Sequence, residues 1–465
     1  MGENIIRNNY SMGIRPSRPY NLNRMNGLGE LCTVMKEELG IDLPVSEDVS
    51  ILRKRIQIGD KTIPNSISVH PVEGWDGDIN GNPTDTVFRR YIRYAAGGSG
   101  LIWFESFGIC DDGKDGPHQL MMKKDNVKAV SELVKTVDEV AANCFGHAHK
   151  PYKVIQLNHS GRRSVNDEWI PSPIIGCYNP YFDITQRGNI TVATDEYIEQ
   201  VVEWYVKAAY NAMEAGFDGV DIKICHGYFL SDLMNAFMRK GKYGGPFENR
   251  IRAIIEIVDG INKNCGNEID MCFRINAYDA IPYPNGWGMV KEPGIMEPDL
   301  TEPIKLLKIL ADKGVKMVNI STTDSRFEPY GHGAFARSRG IEPNPYLGTW
   351  HLLNATRELK KQVPELLYVG TGLSWFEKFC GNVGAGSIKD GWFDIAGYAR
   401  QAIAYPDFAK DLMEKGSLDQ KKLCVLCDRC HELSMVGRTK VGCVVRDSEY
   451  YMPLYKKYVQ SKEQE

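Results

Sequence analysis

The sequence predicts an α/β chain closed into a (β/α)8 barrel, the TIM-barrel architecture, with an N-terminal extension and a small cysteine-bearing C-terminal segment. Two observations predict it. Eight short apolar runs alternate with helix-patterned stretches from about residue 65 to residue 415. Uncommon polar residues also sit where several of those runs end, and in such a barrel these ends form the catalytic mouth.

The runs fall at 65–69, 101–105, 153–157, 219–224, 271–275, 317–320, 367–370 and 392–396. Most are short and apolar, as expected of parallel strands covered by helices. Between the third and fourth runs, Thr194 precedes Asp195 and Glu196 and opens an amphipathic stretch that Gly216 ends, the pattern of a capped helix. Strand and helix repeated eight times favour a closed barrel over its rival, an open doubly wound sheet. Three regions follow: an irregular extension at 1–60, a barrel at 61–415, and a segment at 416–465 with clustered cysteines and a basic, Tyr-rich tail.

Composition narrows the class. The 465 residues are 43% hydrophobic and 25% charged, ordinary for a globular chain with a large core. A net charge of −4 gives no electrostatic case for nucleic acid or an anionic membrane as partner. No run approaches the roughly 18 uncharged apolar residues of a membrane span. The N-terminus has arginines with no apolar run behind them, unlike a secretory leader. Of twelve cysteines, eight are scattered and four crowd together, which suggests a reducing, cytoplasmic setting with a metal site. The arm and the tail look like interface material, so a homo-oligomer is expected.

The crowded four are Cys424-Val-Leu-Cys427-Asp-Arg-Cys430 and, after twelve residues, Cys443. Three thiolates within seven residues suit the corners of a [4Fe–4S] cubane. Structural zinc more often uses two separated Cys-x-x-Cys pairs. Zinc and unligated thiols remain the alternatives.

In the fourth run, Asp221 and Lys223 share one strand face and Val220, Ile222 and Ile224 the other. The apolar face should pack on helices, leaving Asp221 and Lys223 pointing into the barrel near its catalytic end. His226 and Tyr228 follow. A histidine can donate to a carbonyl oxygen and a tyrosine can deliver a proton. Alternatively, Asp221 and Lys223 form a buried ion pair and Tyr228 is core.

Several motifs in order resemble the old yellow enzyme family. His226-Gly-Tyr228 followed by Tyr243-Gly-Gly-Pro-Phe-Glu-Asn-Arg250 is similar to its HGY…YGGSxENR signature, and Gln156-Leu-Asn-His-Ser-Gly-Arg162 to its Q-L-x-H-x-G-R. Residues 65–74 occupy its first flavin segment. Gly97-Gly-Ser-Gly-Leu-Ile102, Phe273-Arg274-Ile-Asn276, and Gly391 to Arg400 with Tyr405-Pro-Asp407 resemble three further motifs. The match runs from residue 60 to about 415. The cysteine spacing resembles the iron–sulfur subgroup containing 2,4-dienoyl-CoA reductase and trimethylamine dehydrogenase, and the latter's spacing in particular.

The resemblance implies FMN in the barrel mouth. Pro71 and Val72 would line its ring, Ser106 would lie close by, Gln156 would meet the pyrimidine edge, and Arg274 would place positive charge near N1 and the C2 carbonyl. Gly370, Gly372, Ala399 and Arg400 would hold the phosphate. Tyr228 would donate a proton and His226 would hold a substrate carbonyl. Lys223 stands where many members have a histidine, which makes it a candidate for enolate stabilisation or for attracting an anionic group. Glu73 stands where some members have cysteine.

Dienoyl-CoA reductases of this subgroup continue into an FAD- and NAD(P)-binding region, whereas the tail after Cys443 carries no Gly-x-Gly-x-x-Gly fingerprint. Electrons are therefore expected through the cluster from a separate donor protein, the alternative being direct reduction by NADH or NADPH. The expected activity is reduction of an activated C=C bond in a small unsaturated substrate. The competing readings are an amine dehydrogenase, which the cluster spacing favours but the lack of cysteine at 65–76 disfavours, and a non-catalytic electron carrier or scaffold.

Overall fold

A computed structural model describes residues 19–183, 190–323 and 344–463, and the eight apolar runs form one closed ring of parallel strands. They are β1 Ile67–Val69, β2 Leu101–Gly108, β3 Tyr152–Asn158, β4 Gly219–Ile224, β5 Asp270–Asn276, β6 Met317–Ser321, β7 Leu367–Gly370 and β8 Ile395–Tyr398. Neighbours in the ring are neighbours in sequence, and β8 pairs back onto β1. That closure sets aside the open-sheet rival. The first eighteen residues of the expected arm lie outside the described residues.

Helices α1 Asp85–Ala96, α2 Val127–Phe145, α3 Asp195–Ala215, α4 Arg252–Cys265, α5 Thr301–Asp312, α6 Pro345–Gln362 and α7 Cys380–Lys389 connect successive strands, and α8 Phe408–Lys415 follows β8. Every residue of β2, β3 and β4 is buried, which is why these strands read as unbroken runs. At α3, the Thr194 side chain accepts from the Tyr197 N–H at 3.2 Å, and Gly216 closes the helix at φ 94°. Among the described residues no helix is long and apolar enough to cross a membrane.

Two strands start later than expected. Asn65 precedes β1 instead of pairing within it: its Oδ1 accepts from Ile67 N at 3.2 Å and Gly100 N at 2.8 Å, while its Nδ2 donates to the Gly98 carbonyl. The last strand starts at Ile395 and runs to Tyr398, later than 392–396: Trp392 N turns back to the Ser387 carbonyl of the preceding helix at 2.8 Å, and Asp394 marks the strand's edge, its N–H donating to the Tyr368 carbonyl and its carboxylate accepting from Tyr368 N. Gly397 thereby lies within β8, where a Cβ would stand 2.2 Å from the His70 ring.

The end of the barrel opposite the catalytic face is sealed. An antiparallel hairpin, Ile56–Ile58 with Lys61–Ile63, buries Ile56, Ile58 and Ile63 against Leu101, Trp103, Tyr152, Val154, Cys272, Met317, Val369 and Ile395. At the other end of the chain, helices α9 Arg429–Met435 and α10 Ser448–Tyr458 pack on each other through Leu433, Tyr451 and Tyr455. Arg89 of α1 grips Asp447 through two bonds of 2.6 and 3.0 Å, fastening this segment to the barrel.

Candidate active site

The loop leaving β1 carries Pro71, Val72 and Glu73, and a buried ion triad holds it. Arg90 of α1 bonds Asp76 at 2.6 and 2.9 Å and also reaches Glu105 of β2, which accepts from Gly74 N at 2.7 Å. A Cβ on Gly74 would meet Asp76 Oδ1 at 2.4 Å, so this approach requires glycine. Each charge here is paired in a site where an unpaired one would be costly.

Below the mouth lies a layer built around Asp221 of β4. Its carboxylate accepts from Gln156 Nε2 at 2.6 Å, Trp103 Nε1 at 2.9 Å and Arg274 N at 2.6 Å. Burial lifts its pKa to about 6, against the pull of these donors. Asp221 therefore orients Gln156 and the Arg274 backbone, and the suggested Asp221–Lys223 pair gives way to this three-donor arrangement. His70 fills the barrel axis beside it, with Nε2 3.2 Å from the Gly370 carbonyl and Nδ1 3.2 Å from Asn319 Nδ2. Burial, with Arg274 nearby, lowers its pKa to about 3 and keeps it neutral.

Tyr228, His226 and Lys223 come together at the end of β4. Lys223 Nζ stands 3.6 Å from the centroid of the Tyr228 ring, and both side chains are 5% exposed. Arg163 was not singled out by the sequence; its Nη1 is 3.5 Å from the Tyr228 hydroxyl and its Nη2 donates to the His226 carbonyl at 3.0 Å. Burial raises the Tyr228 pKa, while Lys223 and Arg163 oppose the rise. His226 adopts φ 59°, a costly angle for a side-chain-bearing residue, and sets its Nε2 2.7 Å from Ser321 Oγ of β6.

Two further carboxyl groups face Lys223. Gln119 donates to Glu73 Oε1 at 2.9 Å, and Trp75 donates to Asp115 Oδ1 at 2.9 Å. Burial and the neighbouring Asp115 push the Glu73 pKa well above the carboxylate range. Burial disfavours the Lys223 ammonium, yet Tyr228, Glu73, Cys225 and Asp115 together hold its pKa above the ordinary value.

The residues that the resemblance assigns to FMN fit a bound polar ligand. Ser106 Oγ, Arg274 Nε and Arg400 Nη1 are buried with no hydrogen-bond partner among the described residues, which is costly unless a ligand supplies one. Pro71 and Val72 remain partly open at the mouth. Gly370 ends β7, Gly372 adopts φ 90°, and Ala399 precedes the short helix Arg400–Ala404. The guanidinium of Arg400 lies over Trp375, with its Nε 3.8 Å from Asp428 Oδ1, so it faces the cysteine segment as well.

The four clustered cysteines carry free thiols, Cys424 buried and Cys427, Cys430 and Cys443 partly so. Leu426 N points at Cys424 Sγ from 3.4 Å and Arg446 N at Cys443 Sγ from 3.2 Å. Leu426 and Asp428 take φ 49° and 61°, coiling the loop tightly between the cysteines. Backbone donors aimed at sulfur suit metal-bound thiolates. A second grouping, Cys110, Asp112 and His159, has its ligand atoms within 4.8 Å of one another. There His159 Nδ1 accepts from Gly161 N, leaving the proton on Nε2 facing the Tyr197 hydroxyl, which donates to Asp112. This chain satisfies itself without a metal.

A sealed barrel with its polar groups gathered where the strands end has the architecture of old yellow enzyme-type flavin proteins. The chain belongs to the NADH:flavin oxidoreductase / NADH oxidase family, whose profile matches residues 52–323. It is 26% identical over 382 residues to the NADH oxidase of Thermoanaerobacter brockii, covering 80% of this chain and 52% of that protein. It is 31% identical over 283 residues to the NADPH dehydrogenase of Listeria monocytogenes serotype 4b (strain CLIP80459), covering 59% of this chain and 74% of that protein. A solved structure of 2-naphthoyl-CoA reductase superposes with a TM-score of 0.69 at 21% identity, over 85% of this chain and 57% of that one. The chain thus spans about half the length of the NADH oxidase and of the naphthoyl-CoA reductase.

Proposed function

We propose that the protein is an FMN- and iron–sulfur-dependent ene-reductase acting on an activated C=C bond in an enone, enoate or enoyl thioester. The observation that carries this reading is Tyr228, a buried hydroxyl at the mouth faced by two cations, with His226 two residues before it. Bound FMN would supply hydride to the β-carbon. Tyr228 donates its proton to the α-carbon, and Lys223 and Arg163 stabilise the phenolate left behind. His226 donates to the substrate carbonyl, where negative charge develops. Arg274 and Gln156, with Pro71, Val72 and Ser106, hold the flavin ring, while Gly370, Gly372, Ala399 and Arg400 hold its phosphate.

In the same proposal, Cys424, Cys427, Cys430 and Cys443 would hold a [4Fe–4S] cluster, which would supply one-electron chemistry linking a separate donor protein to the flavin. NADH or NADPH acting directly is the alternative. Arg400 Nη1, without a hydrogen-bond partner among the described residues and on a side chain that also faces Asp428 of the cysteine loop, supports adjoining sites for the two cofactors. Anaerobic purification with iron, sulfide and flavin analysis is the test, followed by an enone and enoyl-thioester screen with a low-potential donor. About four iron and four sulfide per chain with one releasable FMN is the expected result. Flavin without iron, or zinc in its place, removes the cluster, and rapid stoichiometric bleaching by NADH removes the external donor.

A further inference from the structure

Nine residues other than glycine adopt a positive φ among the described residues, a costly conformation that gathers where a chain does its work. Three of the nine meet at one point. Trp75 (φ 47°) lies on the loop after β1, Trp169 (φ 62°) on the loop after β3, and Arg438 (φ 48°) between Cys430 and Cys443. The two indoles meet edge to face, with centroids 5.0 Å apart and planes at 72°. The Arg438 guanidinium lies over the Trp169 ring, 5.3 Å from its centroid.

The stack is fixed from the barrel side. Trp75 Nε1 donates to Asp115 Oδ1 at 2.9 Å, and Gly116 passes so close that a Cβ there would stand 2.9 Å from Trp169 and 3.1 Å from Trp75. The Trp169 N–H donates to the Asn166 carbonyl at 3.1 Å, which pins its turn. The loops after β1, β2 and β3 therefore converge on one stretch of the rim, on the face where barrels of this kind hold substrates. The cysteine segment adds the cation above it. Arg438 is exposed, and its guanidinium makes no ion pair or hydrogen bond among the described residues. Asp167, two residues before Trp169, is engaged by Lys114 at 2.7 Å. Further in, Arg163 of the same β3 loop stands at the Tyr228 hydroxyl, and Lys223 lies over the Tyr228 ring. Positive charge thus runs from the rim to the reacting corner, an arrangement that draws in anions.

We propose that Arg438, seated on Trp169, is a specificity-determining residue that binds an oxyanion carried by the substrate away from its C=C bond, a carboxylate or a phosphate on the far part of the molecule. The binding stands on the rim geometry; its place in catalysis rests on the ene-reductase reading. The carbonyl beside the C=C belongs at His226, so the group met at the rim is a second one. A guanidinium presents a planar fork of donors that matches either oxyanion. Trp169 holds that fork in place and Trp75 backs Trp169, so little conformational freedom is lost when the anion arrives. Enones without a second polar group use only the inner part of the site.

The test uses the full chain with its cofactors, dithionite as reductant, and three crotonyl thioesters that differ only in carrier. Coenzyme A carries phosphates, N-acetylcysteine a carboxylate, and N-acetylcysteamine no charge. In Arg438→Met the KM of at least one charged thioester should rise about tenfold or more, as loss of a charge-assisted contact predicts, with kcat and the uncharged thioester within about twofold of wild type. A rise for coenzyme A alone names a phosphate, and a rise for N-acetylcysteine alone names a carboxylate. Equal change with all three, or change with none, makes Arg438 a fastening of the segment only and overturns the proposal. If Arg438→Met sheds its iron, Arg438→Lys takes its place: it keeps the charge and loses the fork, and the same KM should still rise about threefold or more. Isothermal titration with the saturated butyryl thioesters reads binding without turnover, and added salt should weaken the charged ligand more in wild type than in Arg438→Met. Wild type that prefers a charged butyryl thioester but reduces no crotonyl thioester removes the ene-reductase reading and leaves the oxyanion site. Reduction with no preference for a charged carrier removes the oxyanion site and leaves the ene-reductase reading.

Discussion

Lys223 Nζ sits over the face of the Tyr228 ring, 3.6 Å from its centroid, so a cation and a phenol occupy one buried corner of the barrel mouth. A charge in that place favours the phenolate, and burial disfavours it. Tyr228→Phe should slow enone-driven reoxidation of the reduced enzyme by on the order of 100-fold or more, since it removes the proton donor. Lys223→Met should slow the same step by about tenfold at pH 7, because the phenolate loses a stabilising charge. Anaerobic stopped-flow absorbance at the flavin band measures both.

Gly397 and His70 form a matched pair. A Cβ at Gly397 would lie 2.2 Å from the His70 ring, which is fixed between Gly370, Thr371 and Asn319. Gly397→Ala should destabilise the protein by about 1–3 kcal/mol through overpacking. His70→Ala should cost a similar amount by opening a cavity, and the double variant should cost less than the sum. Urea melts of the four proteins measure the coupling.

Asp221 gives the stability curve a definite slope. Its pKa rises from an ordinary value of 3.8 to about 6 on folding, so the native protein keeps a proton that the unfolded chain has released. The resulting stabilisation is complete below about pH 4 and is lost as pH rises through about 6. In Asp221→Asn this fall should be missing. His70 acts in the opposite sense, since its pKa falls to about 3 and its unfolded form charges as pH drops below 6.5. Both proteins retain His70, so the difference between their urea midpoints from pH 4 to 7 isolates Asp221.

The cysteine segment should respond as a unit. Cys430→Ser or Cys443→Ser should remove most of the iron and sulfide while leaving FMN bound, because the flavin residues belong to the barrel strands and their loops. Metal analysis and visible absorbance read this directly. Arg89→Ala should release part of the Asp447 anchor and make the segment more sensitive to protease.

The eight strands were legible because parallel strands buried on both faces leave continuous apolar runs. The inward direction of Asp221 and Lys223 was legible from two-residue alternation alone. The partners of those residues were not. Asp115, Gln119 and Arg163 come from loops after β2 and β3, and no periodicity announces which loop side chains meet across a mouth. His70 was passed over for the same reason: its neighbours Asn319, Gly370 and Gly397 belong to three other strands. The shift of β8 arose because Trp392 N turns back to the Ser387 carbonyl of the preceding helix, a bond invisible to hydrophobic pattern.

The isoleucine-capped hairpin at the barrel floor has a kinetic consequence. With that end stoppered, the polar interior opens, among the described residues, at the strands' far ends. A small reductant acting directly, the alternative to a donor protein, would then take turns at one doorway with the compound it ultimately reduces, each displacing the other. Initial-rate plots for such a pair should give parallel lines, and an excess of either compound should inhibit competitively against the other.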